Sequence, residues 1–422
     1  MSLIKKIIAY EIIDSRGYPT IEARMILDNG IEAVTSIPAG TSIGKYESIE
    51  LRDNDVTRFF GMGVTQAVSF INDLIGPKLV GISPLKQQAI DNWLINADGT
   101  KNKSKLGANT ILAISQLAAK SSASLMKKPL FLYINELLKN SFNLDLKIEK
   151  IPTPIFNIIN GGKHANNNLD FQEFQIIPSS AFSFSKSYQI GVEIFHELKN
   201  VLLYRNAIIS VGEEGGFTPN FATNSDAIEA IRETVMQQKF QIGVDIFFGL
   251  DMAASHYYKN ERYIVKDKAH PLKLGEYIEF LLNLCKSSSY LIIEDPLNQD
   301  DWDSWKQLNQ AIPKDIYLVG DDLLVTNKER LERAIKEKVC TTILLKPNQV
   351  GTITETLEVA ALAKKNNFNY IVSHRSGETN DSFVADLAVG LQADFVKFGA
   401  PSRGERVAKY NRLWQIEREE LK

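Results

Sequence analysis

The stretch "IYLVGDDLLVTNKERLERAIKEKVCTTILLKPN", Ile316 to Asn348, decides the fold. It opens on a short apolar run that stops at the acid doublet Asp321–Asp322. A charged, helix-forming segment, "KERLERAIKEK", follows. A second apolar run, "TTILL", then stops at Lys346. Strand, helix, strand at this spacing is a βα unit, and a series of such units builds a parallel sheet.

The same rhythm continues on both sides. "IFFGLDM" and "YLIIED" come before this stretch, and "YIVSH" and "FVKFG" come after it. "IPTPIFNII" and "DFQEFQIIP" start the series, which makes eight strands. The last six alternate with helices, so parallel units closing into a barrel are expected. The first two have too little chain between them for a crossover helix and are expected to pair antiparallel. The barrel is therefore irregular at its start. Ahead of Ile151, "KKIIAYEIID", "TIEARMILDN" and "IEAVTSIPAG" are followed by the helical periodicity of "GVTQAVSFINDLIGPKLV" and "LGANTILAISQLAAKSSASLM". Strands followed by helices predict an α+β domain. The expected division is residues 1–140 for that domain and 141–422 for the barrel.

The bulk numbers narrow the function. The chain has 422 residues, 44% hydrophobic and 23% charged, with a formal charge of -3. That balance offers no basic field for a nucleic-acid backbone, so an anionic small molecule must be held by local cations. The two cysteines, Cys285 and Cys340, form no metal-binding pattern and fit a reducing compartment. Glu11 and Asp14 interrupt the apolar N-terminal stretch, and no run is long enough to span a membrane. A cytoplasmic location is expected, with surface display or secretion left open.

Polar residues stand at the C-terminal ends of the later strands: Asp251, Glu294 with Asp295, Asp321 with Asp322, Lys346, His374 and Lys397. A barrel gathers these ends on one face, where barrel enzymes place their chemistry. Stability does not explain six such ends, since each charge costs desolvation. Asp251, Glu294 and Asp321 are hard carboxylates on neighbouring strands, a set suited to Mg²⁺. Asp295 and Asp322 read as capping or pairing acids. Beside a metal, a lysine such as Lys346 can lose its proton and act as a base, because positive charge lowers its pKa. Arg375 and Ser376 follow the seventh strand, in a region where barrels often bind phosphate. "QEF" adds Glu173, and "GEEGGFTPN" adds Glu213 and Glu214 in a loop between helices. Two acids facing one site can raise each other's pKa and keep a proton at neutral pH. "NGGKHANNN" carries His164 in a glycine-bent loop, and "PAGTSIGKYE" reads as a mobile lid around Ser42.

These motifs, with "EIIDSRGYPT", "LDMAAS", "IIEDP", "LLKPNQVGT", "SHRSGETND" and "KFGAPSRGERVAKYN", run in order along nearly the whole chain. Together they resemble the enolases. The resemblance implies a small α+β domain before a ββαα(βα)6 TIM-like barrel, an α/β fold. It also implies reversible dehydration of 2-phosphoglycerate to phosphoenolpyruvate, with two Mg²⁺ per site and a homodimer or higher homo-oligomer. On the matching positions, Asp251, Glu294 and Asp321 would hold the first metal, and Ser42 would help hold the second. Lys346 would take the C2 proton. Glu214 would protonate the departing C3 hydroxyl, with Glu173 nearby. Lys397 would hold the substrate carboxylate, and Arg375 and Ser376 the phosphate. His164, Gln172 and His374 would complete the substrate site. A lysine base working beside magnesium is established chemistry for this superfamily, and the role given to Lys346 rests on that precedent.

The chain departs from the family pattern at several points. "AGTSIG" stands for "SGASTG", Glu213 for aspartate, Phe398 for threonine, Tyr18 for asparagine and His256 for glutamate. Gln415 stands where an arginine pairs across the dimer with a glutamate like Glu22. Two other readings remain open at this point. One is a lyase acting on a related phosphorylated or phosphonylated hydroxy acid. The other is a non-catalytic binding protein on the same scaffold.

Overall fold

The computed structural model describes residues 2–41 and 44–421. Three strands, β1 (Ile4–Ile13), β2 (Pro19–Leu27) and β3 (Glu32–Ser36), form an antiparallel meander. Alternation puts Ile7, Ala9, Ile21, Ala23 and Met25 on its buried face. That face packs on the helix Ala108–Leu125, whose many alanines and serines allow close approach. The segment from Thr65 to Leu79 is helical as its periodicity predicts, but Phe70–Ile75 is a π-helical stretch. The helix Leu130–Phe142 ends at Asn143, in the left-handed conformation that often closes helices.

The barrel strands begin with β4 (Thr153–Asn160), β5 (Glu173–Pro178) and β6 (Ile246–Asp251). A small ribbon, β7 (Tyr258–Lys259) and β8 (Arg262–Tyr263), lies outside the barrel. The barrel resumes with β9 (Tyr290–Glu294), β10 (Tyr317–Gly320), β11 (Thr342–Leu345), β12 (Asn369–Ser373) and β13 (Phe395–Lys397). Closure runs β10-β11-β12-β13-β4-β5-β6-β9. β5 is antiparallel to both β4 and β6, and every other barrel pairing is parallel. This is the irregular start expected from the short first connection.

The barrel interior is layered. Ile292, Val319, Leu344, Ile371 and Phe395 form a buried apolar cluster with Ile155 and Ile177. Four of them stand two residues before Glu294, Asp321, Lys346 and Lys397. Because strand side chains alternate, the apolar layer and the charged layer above it share the inward direction. An oily floor thus supports a ring of charges.

Candidate active site

The register places the acids. Glu173 opens β5, and because β5 runs backwards its first residue lies at the C-terminal face of its neighbours. Glu173 pairs across to Asp251, and Asp251 pairs across to Glu294, so three acids stand in a row. Lys397, from β13, reaches them all. Its Nζ lies 3.1 Å from Glu173, 3.2 Å from Asp251 and 2.8 Å from Glu294. Asp321 follows β10 and pairs with Lys346, which follows β11. Gln172 donates from Nε2 to the Asp251 carboxylate at 3.1 Å.

A second group closes around Glu214. His164, Glu173 and Glu214 each bring a ligand-type atom within 4.8 Å of the others. Asn157 donates to Glu214 at 2.9 Å. Arg406 donates to His374 Nδ1 at 2.6 Å. An arginine cannot accept, so the neutral His374 ring carries its proton on Nε2, 3.5 Å from Glu214. His164 Nδ1 and His374 Nε2 have no hydrogen-bond partner among the described residues. Two buried, unsatisfied ring nitrogens beside a carboxylate mark a place built for a polar ligand.

The phosphate candidates lie beside this group. Ser376 is 3.2 Å from His164 Nε2 through its hydroxyl. Arg375 is buried and grips Glu47 with both terminal nitrogens, at 2.8 and 3.2 Å. It also donates to Asn348 at 2.9 Å. Ser42 lies outside the described residues.

The comparisons with known proteins agree with this geometry. The family described as "Enolase, N-terminal domain" matches residues 4–134, and "Enolase, C-terminal TIM barrel domain" matches residues 148–422. The enolase of Ehrlichia canis (strain Jake) is 44% identical over 416 residues, 99% of this chain and 96% of that protein. The enolase of Ehrlichia ruminantium (strain Welgevonden) is 45% identical over 415 residues, covering 98% and 96%.

The chain belongs to the enolase family.

Enolases use Mg²⁺, and the donor set here fits it. Asp251, Glu294 and Asp321 are oxygen donors from the adjacent strands β6, β9 and β10, with no histidine or cysteine among them. In this enolase structure the three are divided between two lysines, Asp251 and Glu294 to Lys397 and Asp321 to Lys346. Among the described residues, the all-carboxylate group within 4.8 Å is instead Asp295, Asp321 and Asp322. Asp295 has a structural task, as its position in a doublet suggested. It accepts the backbone N–H groups of Asp321 at 3.0 Å and Asp322 at 2.7 Å.

The surroundings shift the candidate acids and the candidate base in different directions. Burial lifts the Glu173 pKa well above the usual range, Glu214 and Asp251 add to this, and Lys397 opposes it. Burial also pushes Glu214 upward, but His164, His374 and Arg406 outweigh it and hold Glu214 low. The same surroundings thus push the two acids in opposite directions, Glu173 up and Glu214 down. Burial drives His374 down to about 3, against the pull of Glu214. The lowering expected for Lys346 is that of a lysine beside a bound metal; here its neighbour is the Asp321 carboxylate. Burial, Arg375 and Lys397 lower its pKa, yet the Asp321 carboxylate raises it above its ordinary value.

Two groups were not singled out by the sequence. Glu47, the partner of Arg375, also accepts the Gly44 N–H at 2.8 Å. Arg406 is fully buried and holds the carbonyls of Arg375, Ser376 and Glu213 as well as the His374 ring. Its helix, Gly404–Glu420, begins inside a motif that carried the enolase resemblance, so a charge near that helix start was the available signal. Of the departures, Phe398 is buried against Tyr410, with ring centroids 5.8 Å apart, and belongs to the outer core rather than the barrel interior. His256 is partly buried in a 3-10 turn after β6. Tyr18 is exposed, with the Arg16 guanidinium 5.5 Å from its ring centre. Gln415 donates to Glu419 in its own helix, and Glu22 lies 3.5 Å from Arg24.

Proposed function

We propose that this chain removes water reversibly from 2-phosphoglycerate to give phosphoenolpyruvate, with a lysine base and a carboxyl acid acting from opposite walls of the barrel. The supporting observation is positional. Lys346 follows β11 and Glu173 opens β5, four strands apart in a ring of eight. A substrate between them loses its C2 proton to one wall and its C3 hydroxyl toward the other.

The roles follow from the neighbours. Lys346 takes the C2 proton. Glu214, sharing a proton with Glu173, protonates the departing hydroxyl. His164, Gln172 and His374 present polar atoms to the substrate, and Arg375 and Ser376 hold its phosphate. Lys397 supports the substrate carboxylate. Asp251, Glu294 and Asp321 would hold one Mg²⁺, and Ser42 would contribute to a second. When bound, the metal supplies positive charge for the dianion that forms when a proton leaves beside a carboxylate. With the Asp321 charge so engaged, burial, Arg375 and Lys397 favour an uncharged Lys346.

The same reading takes the chain as a cytoplasmic homodimer. Among the described residues, no helix is long and apolar enough to cross a membrane. Tyr10 and Val34 are exposed on the N-terminal sheet, on the face that carries Glu22 and Arg24. Nothing in the site favours a different hydroxy acid or a binding role without catalysis.

The test is initial-rate ultraviolet absorbance with 2-phosphoglycerate. A rise from the enol phosphate with Mg²⁺, abolished by chelator, is expected. A folded protein that binds Mg²⁺ and gives no rise would overturn the reading.

A further inference from the structure

Two of the departures from the family pattern meet in space. The Thr41 hydroxyl donates to the Glu213 carboxylate at 2.6 Å, across 172 residues of chain. From the other side, Arg16 donates to the Thr41 oxygen at 2.6 Å. Arg16 is itself fixed at 2.9 Å by Asp14, whose side chain is fully buried. The result is a chain of four side chains, Asp14, Arg16, Thr41 and Glu213, ending beside the acid Glu214. An alanine at 41 has no hydroxyl to offer, and an aspartate at 213 is one methylene shorter.

The backbone on each side of the Thr41–Glu213 contact is anchored. Ala39 makes an antiparallel bridge to Gly377, with hydrogen bonds of 2.8 and 2.9 Å, directly after the phosphate candidates Arg375 and Ser376. The Glu213 carbonyl accepts from Arg406 at 3.0 Å. The contact therefore joins the segment bridged to the phosphate loop to the loop that carries Glu214. Arg16 and Glu213 also line an open cleft of about 750 Å³ that reaches His164.

We infer that Thr41 and Glu213 form a positioning clamp that fixes the Glu214 loop for protonation of the departing hydroxyl. This rests on the reading of the chain as a 2-phosphoglycerate dehydratase. Neither is a catalytic residue; both act through Glu214. The clamp governs the acid half of the reaction and leaves the Lys346 half alone. Exchange of the C2 proton and loss of the C3 hydroxyl should therefore respond differently to its removal.

The experiment uses the full-length protein with Mg²⁺ and 2-phosphoglycerate, in Thr41→Val, Thr41→Ser, Glu213→Asp, Glu213→Gln and Thr41→Val/Glu213→Gln forms. Phosphoenolpyruvate formation is followed by absorbance, and C2 proton exchange is followed by nuclear magnetic resonance in deuterated water. Loss of the hydroxyl, of the carboxylate's reach, or of its charge in this contact predicts a fall in kcat of about tenfold for Thr41→Val, Glu213→Asp and Glu213→Gln respectively. The double variant should be no slower than the slower single one, because both substitutions act on one contact. Thr41→Ser should retain the wild-type rate, and C2 exchange should stay within about twofold throughout. Additive losses, unchanged kcat, or C2 exchange falling in step with dehydration would each overturn the clamp. A wild-type protein without dehydratase activity would instead overturn the functional reading on which it rests.

Discussion

Lys346 and Glu173 face each other across the barrel, one following β11 and the other opening β5, four strands away around a ring of eight. The antiparallel β5 makes this possible. In an all-parallel barrel the first residue of that strand would sit at the opposite end, away from the charged ring. The topology thus separates the proposed base from the proposed acid pair. Substituting Lys346→Met should lower turnover by about 10²–10⁴-fold, the usual contribution of a positioned base. It should also abolish C2 proton exchange. Steady-state kinetics with an exchange assay checks this, and retained exchange would remove Lys346 from its role.

Gly40 leaves room for Arg375, the residue proposed to hold the phosphate. A Cβ there would collide with the Arg375 guanidinium. Gly40→Ala should therefore push the fork aside and weaken substrate binding, by about the 1.5–3 kcal/mol of a hydrogen bond to a charged group. The KM for 2-phosphoglycerate should rise about tenfold or more, with a smaller effect on kcat. An unchanged KM would show that Arg375 does not carry the phosphate.

Asp381 ties the N-terminal sheet to the barrel. Its carboxylate accepts from Lys120 at 2.6 Å, Ser36 N–H at 3.0 Å and Phe383 N–H at 2.9 Å. Burial raises its pKa, but Lys120 and these donors bring it below the ordinary 3.8. A depressed folded-state pKa stabilises the fold above the unfolded value and loses that contribution as pH falls through the folded one. Breaking a buried pair costs about 3–5 kcal/mol, so Asp381→Ala should lower stability strongly at neutral pH. The gap from wild type should persist down to about pH 4 and shrink below it. Denaturant melts at several pH values test this; a gap independent of pH in acid would contradict it.

The chain order made much of this legible. Short apolar runs ending in charge identify barrel strands, because strand alternation turns residue i and residue i+2 inward together. Leu344 and Lys346 are one such couple. The antiparallel β5 could be read from the short link before it. What stayed hidden depends on contacts between distant segments. Glu47 meets Arg375 across 328 residues, and nothing local to either announces the pair. Thr41 and Glu213 were each visible as departures, but their meeting was not. The protonation states were hidden for the same reason. The ion pair of Lys346 with Asp321, which raises the lysine's pKa, is set by contacts that no local pattern shows.

If one wall takes the C2 proton and the other expels the hydroxyl, the two events can be separated by a single substitution. Glu214→Gln does so most directly, since it removes the acid and leaves the base. With Mg²⁺ and 2-phosphoglycerate in deuterated water, this variant should still exchange the C2 proton. Its phosphoenolpyruvate formation should fall by about 10²–10⁴-fold. If exchange were lost with dehydration, while the folded variant still bound substrate, the division of labour between Lys346 and the Glu173–Glu214 pair would be wrong.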